Sequence, residues 1–171
     1  VRECQTLSNT NIQCYLPDNK INTRTGLPLS FYRELKCLKE MKGHENIINY
    51  SSTVRSNNDN SLYLVLDYCE YDLAVLINNY GLSQFQLKSY MKQLLLGLSS
   101  LHDHGYVHRD IKPSNVFVTK DNKIKLGDFG LTRKIFDNNS DVDCFLDCSS
   151  QLSRDRTMTT QIMTQSYRPP E

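Results

Sequence analysis

The sequence predicts a mixed α+β fold on three observations. Residues 28–43 carry apolar side chains at helical spacing, residues 61–68 form a short β-rich apolar run, and a second helical stretch from Ser83 leads into a strand–turn–strand at 116–127. Helical and strand periods side by side in one chain mark the mixed class.

Each element follows from its residues. In "PLSFYRELKCLKEMKG", Pro28 suits a first turn, Phe31, Leu35, Leu38 and Met41 recur on one face, and Gly43 ends the run. "SLYLVLDY", Ser61 to Tyr68, reads as a buried strand. Ser83 and Gln86 form a capping box, after which Leu87, Met91, Leu94, Leu98 and Leu101 define one buried stripe that Gly105 closes. "VFVT" and "KIKLG" around "KDN" read as a β-hairpin. From Arg133 to Thr160 no period is sustained, and the stretch reads as a long loop, a kind that is usually functional or disordered.

The 171 residues are 23% charged and 39% hydrophobic with a net charge of +1. No basic field points to nucleic acid, and no apolar run approaches the roughly 18 residues of a membrane span. The first ten residues lack the charged-then-apolar pattern of a signal peptide. The chain also lacks an initiator Met, so we expect it to start within a longer reading frame. Of its six cysteines, only Cys144 and Cys148 are spaced as a pair, and a zinc site there would need two further ligands. Reduced thiols of an intracellular protein are the expectation.

The stretch "GYVHRDIKPSNVFV", Gly105 to Val118, carries the chemistry. Phosphoryl transfer needs positioning, a group beside the attacking hydroxyl and metal to neutralise developing charge. Asp110 can accept a hydrogen bond from a hydroxyl, Lys112 can reach a transferring phosphate, and Asn115 can offer its amide oxygen to Mg²⁺. Asp128, in "LGDFG" just after the hairpin, can bridge Mg²⁺ to phosphates, and Gly130 lets the backbone turn. A lone D-F-G arises by chance. H-R-D-x-K-P-x-N followed by D-F-G, with a hairpin between, is specific.

These motifs resemble those of eukaryotic protein kinases, and more narrowly of cyclin-dependent kinases. "PLSFYRE", Pro28 to Glu34, is similar to the helix that docks a cyclin in that family. "LYLVLDYCEYDL" resembles its hinge, and "DFGLTR" and "YRPPE" the borders of its activation segment, in spellings closest to the transcription-elongation branch. The resemblance implies a two-lobed protein-kinase fold truncated at both ends. Residues 1–66 would form the N-lobe without its first strand and Gly-rich loop, 67–72 the hinge, and 73–171 the upper C-lobe without its lower helices. Such a piece, expressed alone, would expose part of the helical stripe and be poorly soluble or partly unfolded.

The resemblance also implies roles. Asp110 would be the catalytic base, Lys112 would steady the γ-phosphate in the manner of kinases acting on Ser or Thr, and Asn115 and Asp128 would hold Mg²⁺. Glu34 would pair with an ATP-binding lysine, Leu66 would be the gatekeeper, and Asp67, Tyr68 and Cys69 would bind adenine. Asp72 would approach the ribose, Phe117 would lie under adenine, and Val1 and Cys14 above it. Leu38, Tyr50, His108 and Phe129 would stack as a spine between the lobes. Thr159, with Thr160 as a competitor, would be the activating phosphosite, answered by Arg33, Arg109 and Arg133.

Three positions depart from the pattern. An ungapped alignment places Leu16 where the family has its ATP-binding lysine, next to Pro17, with Lys20 the nearest lysine downstream. A missing cation there would leave Glu34 without its partner and the nucleotide's phosphates without their clamp. The activation segment is longer by about a dozen residues around "NNSDVDCFLDCSS". Ser166 stands where the family usually has Trp beside the substrate pocket. The expected function is an ATP- and Mg²⁺-dependent protein serine/threonine kinase with a cyclin-type partner, acting on proteins in the nucleus or cytoplasm. The alternative is a pseudokinase or scaffold, which Leu16 favours.

Overall fold

The structure is a computed structural model and describes residues 5–6, 12–15, 28–55, 61–135 and 165–167. Helix α1 spans Leu29–Glu40, with Pro28 at its N-cap. Proline has no N–H to leave orphaned at a helix start, and its carbonyl accepts from Tyr32 N at 3.2 Å. The helix buries Phe31, Glu34, Cys37 and Leu38, and Met41 continues that face. Gly43 follows at φ 89°, a conformation open to glycine.

Four antiparallel strands make the first sheet: β1 (Gln5–Thr6), β2 (Ile12–Tyr15), β3 (Tyr50–Arg55) and β4 (Leu62–Asp67), in the order β1-β2-β4-β3. Strand β4 is central, which is why Leu64, Val65 and Leu66 are all buried. The chain leaves this sheet after Asp67 and enters a second one at β5 (Tyr71–Asp72). That sheet has the order β5-β7-β8, with β7 (Val116–Val118) and β8 (Ile124–Leu126) forming the hairpin expected from sequence. Residues 68–70 connect the two sheets.

Helix α2 (Leu73–Tyr80) starts at Asp72, whose carboxylate accepts from Val75 N at 2.7 Å. Helix α3 (Gln84–Asp103) opens with the predicted capping box, Ser83 and Gln86 each bonding the other's backbone. Its buried stripe differs from the expected one. Tyr90, Gly97 and Leu101 are buried and Leu94 and Leu98 pack beside them, whereas Leu87 and Met91 are 50% and 47% exposed. Gly97 permits close approach on the buried face. A Cβ on Gly97 would lie 2.9 Å from the Asn46 carbonyl oxygen.

The two sheets share one core that includes Phe31, Leu38, Leu64, Leu101, Leu126 and Phe129. Residues 46–48 stitch the sheets together. Asn46 O accepts from Leu126 N and Leu126 O accepts from Ile48 N, both at 2.9 Å. Asn46 Nδ2 donates to Ile124 O at 3.1 Å, and Gln93 Oε1 accepts from Ile124 N at 2.8 Å. A two-stranded pair, β6 (Tyr106–Val107) with β9 (Arg133–Lys134), completes the frame. The expected long loop, with Cys144 and Cys148, lies outside the described residues except at its start.

Candidate active site

Strand β6 delivers the chain to His108, and the loop after it is braced from several sides. His108 is buried, its Nε2 lies 2.9 Å from Gly127 O, and its Nδ1 accepts from Asp110 N at 3.3 Å. A ring that donates at one nitrogen and accepts at the other is neutral. Burial accordingly pushes His108 below its ordinary pKa. The ring rests on Phe129 with centroids 5.0 Å apart. Arg109 (φ 67°) and Asp128 (φ 60°) both sit in the left-handed region, unusual for residues with a Cβ. Arg109 Nε donates to Leu131 O at 2.7 Å, which helps to hold that strained backbone.

Asp110 is the focus of the loop. Its carboxylate is buried, Lys112 Nζ lies 2.7 Å from Oδ2, and Asn115 Nδ2 donates to Oδ2 at 3.0 Å and to the Asp110 carbonyl at 2.9 Å. A 3₁₀ turn at Pro113–Asn115 swings Asn115 back over Asp110. A cation and an amide on one oxygen favour its ionised form. The Asn115 carbonyl accepts from Gly127 N at 3.0 Å, which ties the loop to the Asp128 segment. Gly127 has no room for a side chain, since a Cβ would lie 2.6 Å from Phe117 Cε2.

Asn115 Nδ2 is turned to Asp110, and the Asn115 carbonyl, through Gly127 N, ties in the segment that carries Asp128; the two side chains bring an amide oxygen and a carboxylate. Hard oxygen donors of this kind fit Mg²⁺, which keeps waters and substrate phosphates as its other ligands. Among the described residues no group of three His, Cys, Asp or Glu gathers, so no all-protein cage competes with that arrangement.

The remaining predicted residues fall as follows. Glu34 is buried on α1. Leu66 is buried at the end of β4. Asp67 pairs with Lys125 at 3.5 Å, and Asn49 Nδ2 reaches Asp67 Oδ1 at 3.5 Å, two neighbours that the sequence did not reveal. Tyr68 is half-buried at the crossing. Cys69 is buried, which pushes its thiol up to about 11 and makes it a poor nucleophile. Asp72 has one carboxylate oxygen engaged as the α2 cap. Phe117 is half-buried beside Gly127, and Cys14 pairs with Val65 in the sheet. Val1, Leu16 and Thr159 lie outside the described residues.

The three arginines converge. Burial first, then the neighbouring charges of Arg133 and Arg33, pushes Arg109 below its ordinary range. Arg33 and Lys36 of α1 line a small depression with Tyr106, Thr132 and Arg133. Sequence reasoning missed Lys36, Tyr106 and Thr132, because a cationic hollow assembled from three separated segments leaves no local pattern.

Asp110, buried and held by Lys112 and Asn115, thus sits in a loop that is tied to the Asp128 segment through the Asn115 carbonyl and Gly127 N. Residues 16–171 match the protein kinase domain, and the chain belongs to that family. It is 38% identical over 160 residues to cyclin-dependent kinase 9 of Homo sapiens and 34% identical over 160 residues to cyclin-dependent kinase 9 of Danio rerio. Each of those alignments covers 88% of this chain and 39% of the relative. To cyclin-dependent kinase C-2 C of Arabidopsis thaliana it is 38% identical over 141 residues, 81% of this chain and 19% of that one. The chain thus spans at most about two fifths of the length of these relatives.

Proposed function

We propose that this protein is an ATP- and Mg²⁺-dependent serine/threonine kinase of the cyclin-dependent type, acting on protein substrates with a cyclin-type partner docked near Pro28–Glu34. The observation that carries the reading is the Asp110 carboxylate, buried yet held by Lys112 at 2.7 Å and Asn115 at 3.0 Å. An aspartate so placed accepts the hydrogen bond of an incoming hydroxyl, orients it and takes its proton as the new P–O bond forms and the bond from the γ-phosphorus to the departing ADP breaks. Lys112, already beside that carboxylate, steadies the negative charge on the transferring group. Asn115 and Asp128 would hold Mg²⁺, which would supply charge neutralisation on the phosphates.

Phosphorylation at Thr159 would answer the mutual repulsion of Arg33, Arg109 and Arg133 with an anion of about −1.5 to −2. The likeness to cyclin-dependent kinases supports action in the nucleus or cytoplasm. The deciding test is Asp110→Asn in the full-length protein, assayed with Mg-ATP, a cyclin and a protein substrate. Transfer falls by about a thousandfold or more if Asp110 is the base; unchanged transfer overturns the assignment. The second reading, a pseudokinase, rests on Leu16 at the aligned lysine position. Wild-type protein that binds its partner yet neither binds nor turns over Mg-ATP would establish it.

A further inference from the structure

We propose that Lys134 is a positioning residue, fastening the C-terminal end of α1 to the strand that follows Asp128. Lys134 Nζ lies 3.0 Å from Glu40 Oε2, across 94 positions of sequence. Glu40 is the last residue of α1, and Lys134 the last of β9. The lysine side chain is 21% exposed and the glutamate 34%, so the pair is partly withdrawn from water. The same Nζ stands 5.0 Å from the centroid of the Tyr106 ring, and Tyr106 is the cross-strand partner of Lys134 in the β6–β9 pair. One ammonium group thereby joins three segments: the helix of Glu34, the strand leading to Asp110 and the strand leaving Asp128.

The electrostatics of the seam give this contact a purpose. Arg33 and Lys36 on α1 line the same hollow as Arg133 and Lys134 on β9, and Arg33 and Arg133 both raise the potential at Arg109. Glu40 and Lys134 place opposite charges across the same seam, one turn beyond the buried Cys37, whose thiol feels both of them. The ionic contact and the cation–π contact share one ammonium group, so each restricts that group for the other. The tie therefore sets an attraction across this seam and holds the end of α1, the helix of the buried Glu34, against β9. Its consequence for phosphoryl transfer rests on the kinase reading; the tie itself does not.

Hydrogen exchange with mass spectrometry on the full-length, unphosphorylated protein tests it. Lys134→Met keeps the aliphatic stem and removes the charge, and Glu40→Gln removes its partner. Each is expected to speed exchange in residues 29–40 about three- to fivefold while leaving α3 unchanged. Lys134→Arg and the charge swap Glu40→Lys with Lys134→Glu are expected to restore slow exchange. Unchanged exchange in α1, equal acceleration in α3, or failure of both restoring variants would each overturn the proposal. Basal transfer from Mg-ATP, measured alongside, is expected to fall in the two disrupting variants and return in the restoring ones. Wild-type protein without transfer, but with the expected exchange pattern, would leave the tie standing and overturn the kinase reading.

Discussion

Asn115 Nδ2 lies 3.0 Å from Asp110 Oδ2, so the residue proposed to hold a cation also steers the residue proposed to take a proton. Replacing Asn115 by Ala removes both of its bonds to Asp110 and leaves a buried carbonyl and carboxylate short of a donor. We expect a stability loss of about 1–3 kcal/mol and a fall in transfer of about a hundredfold or more. Urea denaturation and a steady-state assay of the full-length protein measure the two effects separately.

His108 makes stability depend on pH with a definite sign. Its folded form is neutral and its pKa lies below the ordinary 6.5, chiefly through burial and against the opposing pull of Gly127 O, Asp128 and Asp110. The unfolded chain therefore binds a proton that the folded chain refuses. Stability is full above pH 6.5 and declines as pH falls from there towards the depressed folded value. The slope reaches at most about 1.4 kcal/mol per pH unit for this one proton. Thermal melts between pH 7.5 and 5.5 are expected to show that decline, flattened in His108→Phe.

Gly97→Ala sets two effects against each other. Alanine is favoured over glycine in a helix interior by about 1 kcal/mol. The new methyl, however, would sit 2.9 Å from the Asn46 carbonyl oxygen, which already accepts from Leu126 N. Backbone at that contact cannot turn aside as a side-chain tip can, and overpacking costs about 1–3 kcal/mol. We expect the clash to win by about 1 kcal/mol, read as a lowered denaturation midpoint with an unchanged slope.

The exposed side of α3 predicts sticky behaviour. Leu87, Met91, Leu95 and Leu96 are each about half exposed and adjoin one another around a shallow cavity of 550 Å³. An apolar patch of this kind recruits hydrophobic dyes and other chains. Met91→Lys with Leu95→Gln in the 171-residue chain is expected to reduce dye binding and light scattering without lowering the thermal midpoint. Unaltered dye binding would show that other surfaces account for it.

Much of this was written locally. The α1 face, the Ser83–Gln86 box and the 116–126 hairpin were legible because period, capping chemistry and turn residues act over a few positions. The grouping of Asp110, Lys112 and Asn115 was legible for the same reason, since one 3₁₀ turn brings them together. Asp128 could be added because a hairpin returns the chain to where it left. What the sequence could not decide was how much of the α3 stripe would be covered: Leu94, Leu98 and Leu101 pack as expected, with Tyr90 and Gly97 beside them, while Leu87 and Met91 at its N-terminal end stay about half exposed. Nor could it show that Asp72 caps a helix, that Asp67 meets Lys125, or that Glu40 meets Lys134. Local pattern determines which elements form and what chemistry each carries. Which charges meet across 94 residues is decided only when packing fixes two elements at a distance where their side chains can touch.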